Sequence, residues 1–180
     1  INSTFINNKA KEEDGGAIFS KAGLVIEESY FEGNSALVDG GAIFCQDSVE
    51  VSDTEFVNNK AFGAKVHKCY GGAICAKDYI MVDTCSFSNN VAENYGGAVY
   101  AHKELNVIAS NFTQNSGKEG GALYGDGDRV FIEECRFIKN SANSSRAGAI
   151  YANKFIYIGK SLFENNTSQG KGGAVYAGYI

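Results

Sequence analysis

The 180 residues contain no proline, no tryptophan, one methionine and two histidines. Without proline there are no proline-rich linkers and no polyproline ligands. The 22 glycines follow no three-residue period, which excludes a collagen-like chain. No run approaches the roughly 18 to 20 apolar residues that span a bilayer, and the N-terminus lacks a basic stretch followed by an apolar one. No membrane span is therefore expected in this segment. Blocks of like charge are also missing: the formal net charge is -5, with acidic and basic residues interleaved. Nothing recruits a phosphate backbone, so nucleic acid is not an expected partner. Only five threonines occur, never at alternate positions of one strand, which removes the flat threonine ranks of an ice-binding face. The chain opens on Ile1-Asn2-Ser3-Thr4-Phe5 with no initiator methionine. It reads as one domain over 1–180, expected to be a fragment of a longer repeat protein.

What is present is one repeat. At 44% hydrophobic the chain has ample apolar content for a packed core, and self-comparison shows how that content is arranged. Phe-x-x-Asn recurs as Phe5/Asn8, Phe31/Asn34, Phe56/Asn59, Phe87/Asn90, Phe112/Asn115, Phe137/Asn140 and Phe163/Asn166, at spacings of 25 to 31 residues. Gly-Gly-Ala followed by an aliphatic residue recurs in step, with alanines at 17, 42, 73, 98, 122, 149 and 174. The sixth copy alone deviates, reading Ala147-Gly148-Ala149. From each alanine to the next phenylalanine is 14 or 15 residues, whereas the return distance varies from 10 to 17, so the variable part is a loop.

A third pattern precedes each phenylalanine. Aliphatic residues stand seven and five positions before it, and Ser, Thr or Cys two before it, as in Val49, Val51 and Thr54 before Phe56. The first two share a strand face, and the change of parity before the third requires a bend. Each repeat thus reads as three short strands, with no 3.6-residue spacing for a helix. The predicted fold is an all-β, right-handed, single-stranded parallel β-helix: about seven coils of about 25 residues, stacked at roughly 4.8 Å. The strand-crossover rule supplies the hand. Stacked phenylalanines would fill the interior, and stacked asparagines would hydrogen-bond along the axis and tolerate a left-handed turn. Gly-Gly would supply a corner that needs positive φ or close backbone approach.

One row stays open. Two residues after each corner alanine stand Phe19, Phe44, Cys75, Tyr100, Tyr124, Tyr151 and Tyr176, and the residue between is always aliphatic. Alternation buries only one of the two rows. Small residues at the next position favour aliphatics inward, which makes Tyr100, Tyr124, Tyr151 and Tyr176 an outward stripe and a candidate contact surface. The alternative is an inner face of alanine and aromatics.

The tandem Gly-Gly-Ala-(Ile/Leu/Val) and Phe-x-x-Asn motifs resemble the passenger repeats of the chlamydial polymorphic membrane proteins, which are surface autotransporter adhesins, and similar repeat proteins of some protists. The resemblance spans the whole chain. It implies a secreted or surface-displayed β-helix that contacts a host or neighbouring cell.

Residues with chemistry are few. Cys69 and Cys75 flank the enlarged third loop and are candidates for a local disulfide, with free thiols the alternative. Cys85 and Cys135 sit two coils apart, roughly 10 Å by coil rise, too far to bridge. His67, Cys69 and Cys75 lack a zinc spacing, so no metal and no cofactor is expected. Asp126-Gly127-Asp128-Arg129 with Glu133 and Glu134 is the best carboxylate cluster for a carbohydrate-active enzyme, and reads more simply as a solvated turn. His102 belongs to no nucleophile or base constellation. Sequons begin at Asn2, Asn111, Asn143 and Asn165, and also at Asn166 within the asparagine ladder.

The expected function is a non-catalytic, extracellular or cell-surface structural or adhesion protein whose partners are other proteins or cell-surface ligands. The alternatives are a carbohydrate-active β-helix enzyme and a self-assembling fibre subunit. The fibre reading rests on unpaired strand edges at both ends, which end-to-end or lateral self-association would satisfy.

Overall fold

A computed structural model of the chain describes residues 2–63 and 70–178. Its strands form four parallel sheets, three of seven strands and one of six, each with one strand per coil in sequence order. The result is a parallel β-solenoid of about seven turns. A coil uses four short strands, where the sequence suggests three. The second complete coil runs through Ile43–Cys45, Val49–Ser52, Glu55–Val57 and Lys60–Ala61. These contribute in turn to what we call the tyrosine, aliphatic, phenylalanine and alanine sheets. The fourth strand is short, often two residues, which is why hydrophobic alternation does not reveal it. Its one signal is a small residue two places after each ladder asparagine: Ala10, Ala36, Ala61, Ala92, Gly117, Ala142 and Ser168.

Stacking is in register at every repeated position. Phe31 pairs with Phe5 and Phe56, and Phe112 with Phe87 and Phe137. The rings lie 4.6 to 4.9 Å apart and within 4 to 9° of parallel, the spacing of adjacent strands. Opposite them, Val49, Val51, Ile80, Val82, Leu105 and Val107 point inward from the aliphatic sheet, and Ile43, Ile74, Val99 and Leu123 from the tyrosine sheet, all within one continuous core.

Two left-handed bends flank each phenylalanine strand, and a third lies at the Gly-Gly corner. The first lies between the aliphatic and phenylalanine sheets, where Glu28, Asp53, Thr84, Ala109, Glu134 and Lys160 all have φ between 42 and 56°. The Ser, Thr or Cys that follows stitches the bend. Ser29 Oγ donates to its own coil's Glu27 carbonyl at 2.8 Å and accepts the Ser3 N–H at 3.1 Å.

The second bend precedes the asparagine ladder. The left-handed residue there is the one before the ladder asparagine, such as Asn58, Asn89 or Gln114, and not the ladder asparagine itself. The ladder side chains are fully engaged instead. Asn90 Oδ1 accepts from Asn59 N–H and from Asn59 Nδ2, both at 3.0 Å. Its Nδ2 donates to Phe56 carbonyl and Asn115 Oδ1, also at 3.0 Å. Two lone pairs and two protons are all used, so an amide can be buried completely, as Asn34, Asn59, Asn90, Asn115 and Asn140 are.

The two corner glycines do different work. Gly71 has φ 62°, and a Cβ there would lie 2.1 Å from the Ile74 carbonyl oxygen. At Gly72 a Cβ would lie 2.6 Å from the Val91 backbone, because the return segment runs directly against the alanine strand. In the sixth coil Ala147 takes the first position and keeps φ at 62°.

Candidate functional site

The tyrosine sheet shows where an outward reading and an exposed one part company. Its aliphatic row faces the core, and its aromatic row faces the other way. Yet Phe44, Tyr100, Tyr124 and Tyr151 are only 3 to 8% exposed, and Tyr176 is half-buried. The contact stripe expected from Tyr100, Tyr124, Tyr151 and Tyr176 is therefore corrected to a second, smaller core. The segment leading into each Gly-Gly corner folds over that face. From it Tyr70 stacks on Tyr100 at 4.4 Å and Tyr95 on Tyr124 at 4.8 Å. Further along, Arg146 lies 5.2 Å from the rings of Tyr151 and Tyr176 and pairs with Glu119 at 3.1 Å.

The covering residues occupy one sequence row immediately before each corner: Asp14, Asp39, Tyr70, Tyr95, Glu119, Arg146 and Lys171. That row was the available signal, hidden because the loop before it varies in length. The one aromatic gap, Cys75, is made up from this row, since Tyr70 sits one ring spacing from Tyr100. Lys77 Nζ lies over both Phe44 and Tyr70, at 5.2 and 5.9 Å.

This junction holds a strongly perturbed carboxylate. Asp39 is buried, accepts the Tyr70 N–H at 2.9 Å and pairs with Lys77 at 3.4 Å. Burial raises it to about 6, against the lowering effect of Lys77. Cys75 is a free, fully buried thiol, and burial pushes it well above the usual thiol range. Its proposed partner Cys69, like His67, lies outside the described residues. Cys85 and Cys135 are buried free thiols in the bend row. Burial pushes them up to about 12 and about 11. These thiols are protonated at neutral pH and shielded, the opposite of a nucleophile.

The carboxylates that follow the fifth Gly-Gly-Ala each have a basic or hydroxyl partner. Asp126 Oδ2 accepts the Tyr100 hydroxyl at 3.1 Å and lies 3.4 Å from His102 Nδ1. Asp128 pairs with Lys154, and Lys160 lies 3.0 Å from Glu134 and 3.8 Å from Glu133. Each is tied to a residue of a neighbouring coil. Among the described residues no group of three or more His, Cys, Asp and Glu side chains is placed to hold a metal ion. Asn2, Asn111, Asn143 and Asn165 are all exposed, whereas Asn166 donates to the Phe137 carbonyl at 2.8 Å.

An open concavity of about 570 Å³ follows the first bend across several coils, with Glu28, Tyr30, Asp53, Glu55 and Asn111 among its walls. No helix among the described residues is long and apolar enough to cross a membrane.

The Chlamydia polymorphic membrane protein repeat matches residues 2–21, 28–46, 53–77, 84–102 and 160–178, together more than half of the chain. The chain belongs to this family. No curated protein and no solved structure matches it. The longest unmatched stretch, 103–159, includes the Ala147 corner, and its coils still continue all four sheets of the polymorphic membrane protein solenoid.

Proposed function

We propose that the chain is a non-catalytic wall of a surface-exposed protein: a right-handed β-solenoid that displays its outer faces to other proteins or cell-surface ligands and acts in adhesion. The hand is the one that parallel crossovers overwhelmingly adopt. The carrying observation is that the carboxylates an enzyme would need to converge are each committed elsewhere, Asp126 to Tyr100 and His102, Asp128 to Lys154, and Glu134 to Lys160. A glycosidase needs two carboxyl groups facing one sugar across roughly 5 to 10 Å. Membership of the polymorphic membrane protein repeat family supports a surface location.

Beads coated with the purified chain, added to epithelial monolayers, test the reading. Retention well above that of albumin-coated beads, together with no release of reducing sugar or unsaturated product from polyuronates and host glycans, is expected. Retention equal to albumin would sink the adhesive role, and product release would turn the reading to the carbohydrate-active enzyme.

A further inference from the structure

One concavity combines apolar lining with lysines that have no carboxylate partner among the described residues. It lies on the outer face of the alanine sheet in the first three coils and encloses about 510 Å³. Two ranks of outward side chains form it. Lys9, Ser35 and Lys60 stand above one another in register. Two residues further along each coil stand Lys11, Leu37 and Phe62. Backbone bonds from Leu37 N–H to the Ala10 carbonyl and from Phe62 N–H to the Ala36 carbonyl, at 3.2 and 3.1 Å, hold that rank in line.

Phe62 is 61% exposed, the three lysines are exposed and Leu37 is half-buried. Lys77, Lys103, Lys154 and Lys160 each have a carboxylate partner. Lys9, Lys11 and Lys60 have none among the described residues, in a chain whose formal net charge is -5. Glu93, which follows Phe62 in the second rank, accepts the Gly63 N–H at 2.9 Å.

We infer that this groove binds an acidic, extended peptide segment carrying an apolar side chain between its carboxylates. Lys9 and Lys60 are two coils apart, about 10 Å, which three residues of extended chain span. Leu37 and Phe62 then receive the intervening apolar side chain. An anionic glycan fits less well, because Leu37 and Phe62 would cover its hydroxyls without replacing their hydrogen bonds. A bilayer surface needs a projecting basic and aromatic face, and this one is concave.

The test is fluorescence anisotropy on the whole chain with a fluorescein-labelled peptide of sequence DELEFED, with a heparin-derived hexasaccharide and phosphatidylserine-containing vesicles as competing probes. The peptide is expected to bind, with affinity falling as salt rises. The double variant Lys9→Glu/Lys60→Glu weakens binding about tenfold or more, and Phe62→Ser about tenfold, the loss corresponding to one exposed apolar contact. Lys139→Glu, an exposed charge change elsewhere on the wall, leaves binding unchanged. Far-UV circular dichroism and the urea midpoint verify folding of each variant, since every substituted side chain is exposed. The inference is overturned if the peptide does not bind, if the double variant binds it as well as the parent chain, or if the hexasaccharide or the vesicles bind more tightly. Peptide binding and bead adhesion are separate readouts, so either reading can fail without the other.

Discussion

Substituting Asn90 by alanine tests the ladder directly. The side chain is fully buried and makes four hydrogen bonds. Alanine removes the acceptor for two Asn59 donors and the donor to the Phe56 carbonyl. A buried donor left without a partner costs about 1–3 kcal/mol, so two orphaned donors amount to roughly 2–6 kcal/mol. Asn8 is the informative comparison. It donates to Asn34 Oδ1 at 3.0 Å through its N–H and at 2.9 Å through Nδ2, and its own side chain is exposed. Truncating it leaves no buried donor stranded, and the expected loss is under about 1 kcal/mol. Urea unfolding followed by far-UV circular dichroism suits a chain without tryptophan, and an unchanged slope shows that the midpoint reports stability. The variant Asn90→Asp separates hydrogen bonding from packing. It keeps the shape but points a second oxygen at the Phe56 carbonyl and Asn115 Oδ1, so it must bind a proton to regain a donor. Its stability is therefore expected to rise on acidification relative to the parent. If Asn90→Ala falls within about 0.5 kcal/mol of Asn8→Ala, the spread of ordinary surface changes, the ladder is not what stabilises the wall.

Three further outcomes are expected. Ala147 holds φ 62° at a corner where the other coils use glycine. Ala147→Gly is expected to stabilise by about 1 kcal/mol, read as a higher urea midpoint; a lower midpoint would mean that the left-handed strain is absent. Asp39 is raised from 3.8 to about 6, so the folded chain binds a proton there that the unfolded chain does not. Its contribution to stability is full below about pH 4 and is lost as pH rises through about 6. Asp39→Asn should remove that leg of the stability profile, and a profile unchanged in the variant would refute the assignment. Iodoacetamide under native conditions is expected to spare Cys45, Cys75, Cys85 and Cys135, all buried, and to label them after unfolding. Peptide mass mapping that finds native modification of Cys85 or Cys135 would contradict the burial.

Much of the fold is written as period. Where a residue type must recur above itself, as Phe, Asn and the Gly-Gly corner do, one chain displays its own stacking rules, and seven coils in register follow without coordinates. The bend before each Ser, Thr or Cys was legible for the same reason, because a strand cannot change parity without turning. The alanine sheet was not, since a two-residue strand carries too little alternation to be read. The tyrosine row shows the sharper limit. Alternation gives the face on which a side chain lies, but exposure depends on what crosses that face, and the covering residues range from Asp39 through Tyr70 to Arg146 with no shared chemistry. In the same way, Asp126, Asp128, Glu133 and Glu134 look like a cluster in sequence. Their neighbours in the same row one coil away decide otherwise: Asp126 meets His102, Asp128 meets Lys154, and Glu133 and Glu134 share Lys160. Sequence alone fixed what stacks on what, because the repeat enforces it along the axis. Only the tertiary structure decided what covers each face of the coil, because segments such as those carrying Tyr70 and Tyr95 reach the tyrosine sheet through loops whose lengths no period constrains.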